Sequence, residues 1–199
     1  VSNNIAPEVK ALRKNTTTLP DMNVKTLADK KNIIKSKDNA FELEMDITPN
    51  ITGITGIELY NAKGENVKIY FDTKERKLVM DRTESGLIEF GKLSVPHDIE
   101  KNYADVHQGA GNTPFRVFNS VNYKNDFALG TWAPLSLCKG KTYHVDIFVD
   151  KCSVEIFVDG GRIAMTNLVF PTTPYTSIKF YNKGTSASFH NIKISELSL

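Results

Sequence analysis

The chain has 199 residues, enough for one domain or slightly more and for a sizeable core. Apolar residues make up 40% and charged residues 24%, as in a soluble globular domain, and no apolar run approaches the roughly 20 residues that span a bilayer. Net charge is +2, with lysines and acids interspersed and Lys30-Lys31 as the longest basic cluster; this excludes the concentrated basic face that nucleic-acid binding needs.

The start, Val1-Ser-Asn-Asn-Ile5, has no basic segment leading into an apolar core. It does not read as a signal peptide, and resembles the interior of a longer polypeptide. Residues 1–37 are polar and short of periodicity, and are expected to form a linker arm. Within it, residues 7–13 predict a short helix, broken by Thr16-Thr-Thr-Leu19-Pro20.

From residue 38 onward the hydrophobic period is two. Phe41, Leu43, Met45 and Ile47 alternate with Glu42, Glu44, Asp46 and Thr48. Ile57 and Leu59, then Val67, Ile69 and Phe71, continue the pattern, with Asn61-Ala-Lys-Gly64 as a turn and 77–81 as a returning strand. Residues 91–125, punctuated by Gly91, Pro96, Gly109, Gly111 and Pro114, predict a long, partly irregular excursion. Alternation then resumes over 143–149 and 153–158, and Asp159-Gly160-Gly161 is a strong hairpin signal. Three further strands are expected at 162–170, 175–181 and 186–196. Short strands with frequent turns predict an all-β fold, an antiparallel β-sandwich of two packed sheets spanning 38–199 behind the linker arm.

The two cysteines, Cys138 and Cys152, flank the strand 141–150. An extended segment of that length spans roughly 30 Å at ~3.3 Å per residue, against the about 7 Å a disulfide allows. Buried free thiols are expected, and two distant thiols make no four-ligand zinc site.

Motifs for chemistry are scarce. Gly140-Lys141-Thr142 lacks the upstream Gly of a phosphate loop (Leu135 stands there) and leads into a strand rather than a helix. Ser85-Gly86 lacks the Gly two residues earlier that a nucleophile elbow requires. His97, His107, His144 and His190 are scattered, so neither a metal site nor a cofactor is expected. Asn15-Thr-Thr17 and Asn50-Ile-Thr52 fit the N-glycosylation pattern.

The segment Asp150-Lys-Cys-Ser153-Val154-Glu155-Ile156-Phe157 resembles the Asp, Ser, Glu and Phe signature in the C-terminal domain of glycoside hydrolase family 32, which includes invertases, levanases, inulinases and fructan exohydrolases. Asp81-Arg82-Thr83-Glu84-Ser85-Gly86, Ala133-Pro134-Leu135, the run from Gly161-Arg162 to Phe170-Pro171, and residues 7–13 resemble further family motifs in the same order. Two departures stand out. The spacing from Asp81-Arg82 to Ala133 is long, which places an insertion at roughly 91–125, and Trp132 stands where a His is expected nearby.

The resemblance implies a sandwich that packs on an upstream five-bladed β-propeller, where three acids occupy motifs of the types Asn-Asp-Pro-Asn, Arg-Asp-Pro and Glu-Cys. A retaining glycosidase needs two carboxylates about 5–5.5 Å apart. The eight prolines here follow Ala6, Leu19, Thr48, Val95, Thr113, Ala133, Phe170 and Thr173, and the cysteines follow Leu137 and Lys151. There is no Asp-Pro and no Glu-Cys. No residue is therefore assigned a catalytic role. Glu155 is expected mid-strand as a structural or surface residue, with Asp146 facing it across a hairpin and repelling it; the carboxylates as a whole are expected to be dispersed.

The reading is a non-catalytic C-terminal module of a fructan- or sucrose-hydrolysing glycosidase, partnered with the propeller of its own polypeptide and meeting fructan or sucrose through the parent enzyme. It would stabilise the propeller, and extend the substrate groove or make a dimer contact. The alternatives are an independent carbohydrate-binding module for fructans, or an adhesive sandwich without sugar. Sugars stack on aromatic faces, and Trp132, Tyr175 and Tyr181 are the leading candidates, with Tyr103 and Tyr123 also available. An apolar surface facing the propeller is expected to be exposed. An extracytoplasmic location, secreted, periplasmic or at the cell surface, is expected because such polymers are too large to import.

Overall fold

The computed structural model describes residues 5–88, 127–136 and 140–198. The expected excursion at 91–125, with His97, His107, Tyr103 and Tyr123, lies outside the described residues, as does Cys138.

Alternating apolar positions decide where each strand buries a face. Phe41–Thr48, Tyr143–Val149 and Ser153–Val158 each turn every second side chain inward, as do Ile54–Tyr60, Asn66–Asp72 and Lys77–Glu84. In chain order the described strands are β1 (Arg13–Thr18), β2 (Met22–Val24), β3 (Leu27–Lys30), β4 (Phe41–Thr48), β5 (Ile54–Tyr60), β6 (Asn66–Asp72), β7 (Lys77–Glu84), β8 (Gly130–Pro134), β9 (Tyr143–Val149), β10 (Ser153–Val158), β11 (Ile163–Leu168), β12 (Ser177–Lys183) and β13 (Ala187–Leu197). One short helix, α1 (Pro7–Ala11), opens the described chain with Pro at its first turn.

All pairings are antiparallel, and two sheets result. The larger runs β1-β13-β4-β9-β10-β11, with β2 also on β13; the other runs β3-β12-β5-β6-β7-β8. The fold is all-β, with two antiparallel sheets packed as a sandwich. Between them lies one core, to which β4 and β9 contribute Phe41, Leu43, Met45, Tyr143, Val145 and Ile147. The opposing sheet supplies Ile57, Leu59, Phe71, Met80, Ile178 and Phe180. Each such side chain contributes about 1.5–3 kcal/mol through burial. Rings interlock, Phe71 with Tyr143 at 5.3 Å and Phe180 with Phe189 edge-on at 5.2 Å.

The linker arm does not hang free. β1 and β2 pair with β13, and β3 pairs with β12, so residues 13–30 extend both sheets. These strands escape a periodicity search because they are edges: β1, Arg-Lys-Asn-Thr-Thr-Thr, has five of its six residues exposed. β8 was also unmarked by alternation, being short and flanked by Gly130 and Pro134 at the edge of its sheet.

Family-signature residues meet as structural keystones. Gly86, at φ +122°, lets the chain pass so close to Phe170-Pro171 that an added Cβ would lie 2.2 Å from the Phe170 carbonyl oxygen. The next amide, Leu87 N, donates to that oxygen at 2.8 Å. Asp81 Oδ1 accepts from Thr83 N at 2.9 Å, closing the end of β7. Arg82 Nη1 donates to Leu168 O at 3.0 Å, and its guanidinium lies 4.1 Å above the Phe127 ring. Asp150 caps the β9–β10 turn, with Oδ1 accepting from Lys151 N at 2.6 Å and N donating to Ser153 O at 2.9 Å. Phe157 stands edge-on to Phe148 at 5.9 Å.

Two expectations change. Cys152 is exposed, because it sits in the turn before β10 rather than on an inward position, and it forms no disulfide with a described residue. Asn50 is 2% exposed, and its amide nitrogen donates to Ile54 O at 3.2 Å and to Thr55 Oγ1 at 2.8 Å. It also donates to Asn182 Oδ1, so the folded chain presents no glycan acceptor there. Asn15, by contrast, is exposed.

Candidate functional site on the outer sheet faces

With the core sealed between the sheets, functional side chains can stand only on the two outer faces or in loops. The outer face of the larger sheet is charged. β4 turns Glu42, Glu44 and Asp46 outward, and its neighbour β9 turns His144 and Asp146 the same way, with Glu44 directly opposite Asp146 and Asp46 opposite His144. Oxygens of Glu42, Glu44 and Asp146 fall within 4.8 Å of one another. The expectation of dispersed carboxylates is thereby corrected. Alternation placed each acid on the wet face of its strand, but β4 and β9 are neighbours only in space, about a hundred residues apart in sequence, so no local spacing announced the cluster.

This cluster is built as a structural lock. Arg13, at the start of β1, forks onto Glu42: Nη2 donates to Oε1 at 2.5 Å and Nε donates to Oε2, with Glu44 Oε2 3.7 Å from Nη2. Glu42 is 1% exposed and each of its oxygens accepts a hydrogen bond from Arg13. The guanidinium occupies the place where a cation would balance the acids. Burial, with the charges of Glu42 and Glu44, holds the Asp146 carboxyl above its ordinary range against the opposing pull of His144 and Arg13. His144 Nδ1 shares a 2.8 Å hydrogen bond with Asp46 Oδ1, and Nε2 lies 3.5 Å from Asp146 Oδ2. Burial alone would lower the imidazole pKa; the bond to Asp46 and the charges of Asp146, Asp46 and Glu44 outweigh it and raise it. The acids of this cluster lie close together, but Glu42 and Asp146 are buried and Glu42 is held by Arg13, while Glu44 is partly exposed.

Glu155 stands apart from this cluster. Its cross-strand neighbours are Phe148 and Thr166, and Asp146 lies opposite Phe157 instead, two pairs along. The expected Asp146–Glu155 confrontation is corrected by this register.

The outer face of the six-stranded sheet differs in kind. Leu27 pairs with Tyr181, Tyr181 with Gly56, Gly56 with Tyr70, Tyr70 with Val79, and Val79 with Trp132. Directly opposed residues share a face, so one apolar, largely aromatic row crosses all six strands. Leu27 and Trp132, at its two ends, are each 56% exposed. Lys77 Nζ lies 4.5 Å from the Trp132 ring centroid. Beside this row runs a second: Asp29, Lys179, Glu58, Lys68 and Asp81, paired in that order with alternating sign. Lys179 Nζ donates to Glu58 Oε1 at 2.6 Å.

A cleft of about 730 Å³ opens on this face, lined by Tyr181, Tyr70, Glu58, Lys68 and Asp81 among others. Gly56 forms the gap between its rings. A Cβ there would lie 2.1 Å from Ile69 O and 2.5 Å from Tyr70 Cβ, so only glycine lets Tyr70 lean across β5. The two ring centroids stand 6.4 Å apart, at 58° to each other.

Of the three aromatics expected to meet sugar, Trp132 and Tyr181 share this face. Tyr175 does not. It is fully buried, and its hydroxyl donates to Ser85 O at 3.1 Å, so it offers no face to a ligand. Tyr70, Leu27 and Gly56 were not singled out from sequence. The period-two pattern marks Tyr70 as outward, but only the register across β12, β5, β6, β7 and β8 aligns it with Tyr181 and Trp132.

Comparison with known proteins agrees with this architecture. Residues 8–196 match the model of the family described as glycosyl hydrolases family 32 C terminal. The levanbiose-producing levanase of Bacillus subtilis (strain 168) is 36% identical over 95 residues, 48% of this chain and 17% of the levanase. The levanase of Bacillus sp. (strain L7) is 22% identical over 194 residues, 96% of this chain and again 17% of the relative. Among solved structures, the fructosyltransferase from A. japonicus superposes with a TM-score of 0.70 at 18% identity, covering 99% of this chain and 29% of that one. The exo-inulinase from Aspergillus awamori superposes with a TM-score of 0.60 at 16% identity, covering 96% and 31%. The chain spans about a sixth of the length of these two levanases. A family match that runs from α1 nearly to the end of β13 shows that the chain belongs to the glycoside hydrolase family 32 C-terminal domain family.

Proposed function

We propose that this chain is a non-catalytic accessory module of a fructan- or sucrose-cleaving glycosidase. It stabilises an upstream β-propeller catalytic domain and extends its substrate groove or makes a dimer contact. In homologues this domain follows a catalytic propeller domain. The observation that carries the proposal is the match itself: residues 8–196 match the C-terminal part of the family, and 96% of the chain aligns with only 17% of the levanase of Bacillus sp. (strain L7). The missing Asp-Pro and Glu-Cys motifs, and a carboxylate cluster sealed by Arg13, support a module that leaves hydrolysis to another domain. The substrate class follows the relatives' names, two levanases and the sucrose-6-phosphate hydrolase of Staphylococcus xylosus. An extracytoplasmic location goes with a polymeric substrate.

Reading the coding sequence upstream of Val1 tests the proposal. A propeller carrying the three acidic motifs in the same reading frame is expected. A different domain, or none, overturns it.

A further inference from the structure

We infer that the outer face of the six-stranded sheet, centred on the cleft between Tyr70 and Tyr181 above Gly56, binds a chain of neutral, hydroxyl-rich sugar units. That the sugar is a fructan rests on the family reading above; that the face takes a sugar rests on its geometry.

Aromatic rings occupy alternate strands of one register row, Tyr181, Tyr70 and Trp132, with Gly56 and Val79 between them. Neighbouring strands lie roughly 4.8 Å apart, so Tyr181 and Trp132 are separated by about 19 Å at their backbones. Such a row suits an oligosaccharide better than a single sugar. The cleft, at about 730 Å³, is the size of a small-ligand site. Sugar rings stack their C–H faces on aromatic faces and present hydroxyls around the rim, each of which both donates and accepts.

The neighbouring row meets that demand. Lys179 and Lys68 can donate and Glu58 and Asp81 can accept, so the row offers both donors and acceptors to a hydroxyl-rich ligand. Burial, followed by the charges around them, raises the pKa of the Tyr70 and Tyr181 phenols, so both remain protonated and can donate as well as accept. A second protein covering the face would strip water from these charges, at several kcal/mol for each ion left imperfectly paired. Hydroxyls replace that water in kind.

The test is calorimetric titration of the full chain with levan-derived, inulin-derived and cellulose-derived oligosaccharides of increasing length. Fructan oligosaccharides are expected to bind, more tightly as they lengthen. Tyr70→Ala and Trp132→Ala are expected to weaken binding by about tenfold or more, a change of about 1.4 kcal/mol. Leu168→Ala, an exposed position on the larger sheet, is expected to leave it unchanged. If Tyr70→Ala fails to fold, Trp132→Ala decides, since that side chain is over half exposed. Binding that survives the loss of Trp132 and Tyr70 would overturn the inference. So would silence with every sugar, an outcome that leaves the family reading intact because an accessory module need not hold sugar itself. Binding of cellulose fragments alone, lost in the same variants, would uphold the face as a sugar site and overturn the fructan assignment.

Discussion

At the residue scale, Arg13 decides whether the larger sheet can hold three clustered acids. Its fork neutralises Glu42, which is buried beside Glu44 and Asp146. Arg13→Ala leaves that carboxylate buried without its partner, a change that costs about 3 kcal/mol or more. Urea denaturation should show the midpoint falling accordingly; an unshifted midpoint would mean that the cluster relaxes into water. His144 gives a pH signature. Its pKa is raised in the folded state despite its burial, because Asp46 and its acidic neighbours favour the charged ring. The folded state thus binds the proton more tightly than the unfolded chain. The resulting stabilisation is fully present below about pH 6.5, the unfolded value, and disappears as pH rises through the raised folded value. Melting curves of wild type and His144→Phe should differ most in acid and converge in alkali. With 43% of the side chain exposed, solvent screening keeps the effect small.

At the scale of elements, several residues of the family motifs hold turns and crossings. Gly86 at the end of β7 and Phe170-Pro171 after β11 pass within contact distance, tying one sheet to the other. Gly86→Ala should destabilise the chain by about 2 kcal/mol or more, through both its positive φ and the Cβ collision. Gly130→Ala is the matched control, because its Cβ meets nothing nearer than 3.7 Å. Equal melting temperatures for the two variants would contradict this account. The same contrast explains what the sequence made legible. Strands with one dry face, such as β4, β9 and β10, were readable because burial imposes alternation on Phe41 to Ile47 and on Tyr143 to Val158. β1 and β8 were not, because edge strands with exposed side chains carry no such constraint. The acidic cluster and the aromatic row were only half legible. Alternation tells which way Glu44, Asp146 and Tyr70 point, but long-range strand order tells which of them meet and brings Trp132 into the row.

At the scale of the whole molecule, the sandwich presents two unlike outer faces. One is charged and locked by Arg13 and His144; the other carries an aromatic row, exposed at its ends, and a cleft. Glycoside hydrolysis needs an accessible acid and a free carboxylate at a fixed separation in one pocket; among the described residues Glu42, Glu44 and Asp146 cluster, but Glu42 and Asp146 are buried. Glu58 and Asp81 line the cleft, but each stands next to Lys68 in the register row. The signature Glu155 has Phe148 and Thr166 as its cross-strand neighbours.

The most direct measurement is the release of free fructose when the purified 199-residue chain is incubated with levan, inulin and sucrose. The account predicts none above the spontaneous rate, at any pH at which the chain is folded. Turnover that is abolished by Glu42→Gln, Asp146→Asn or Glu155→Gln, in variants that still fold, would contradict it.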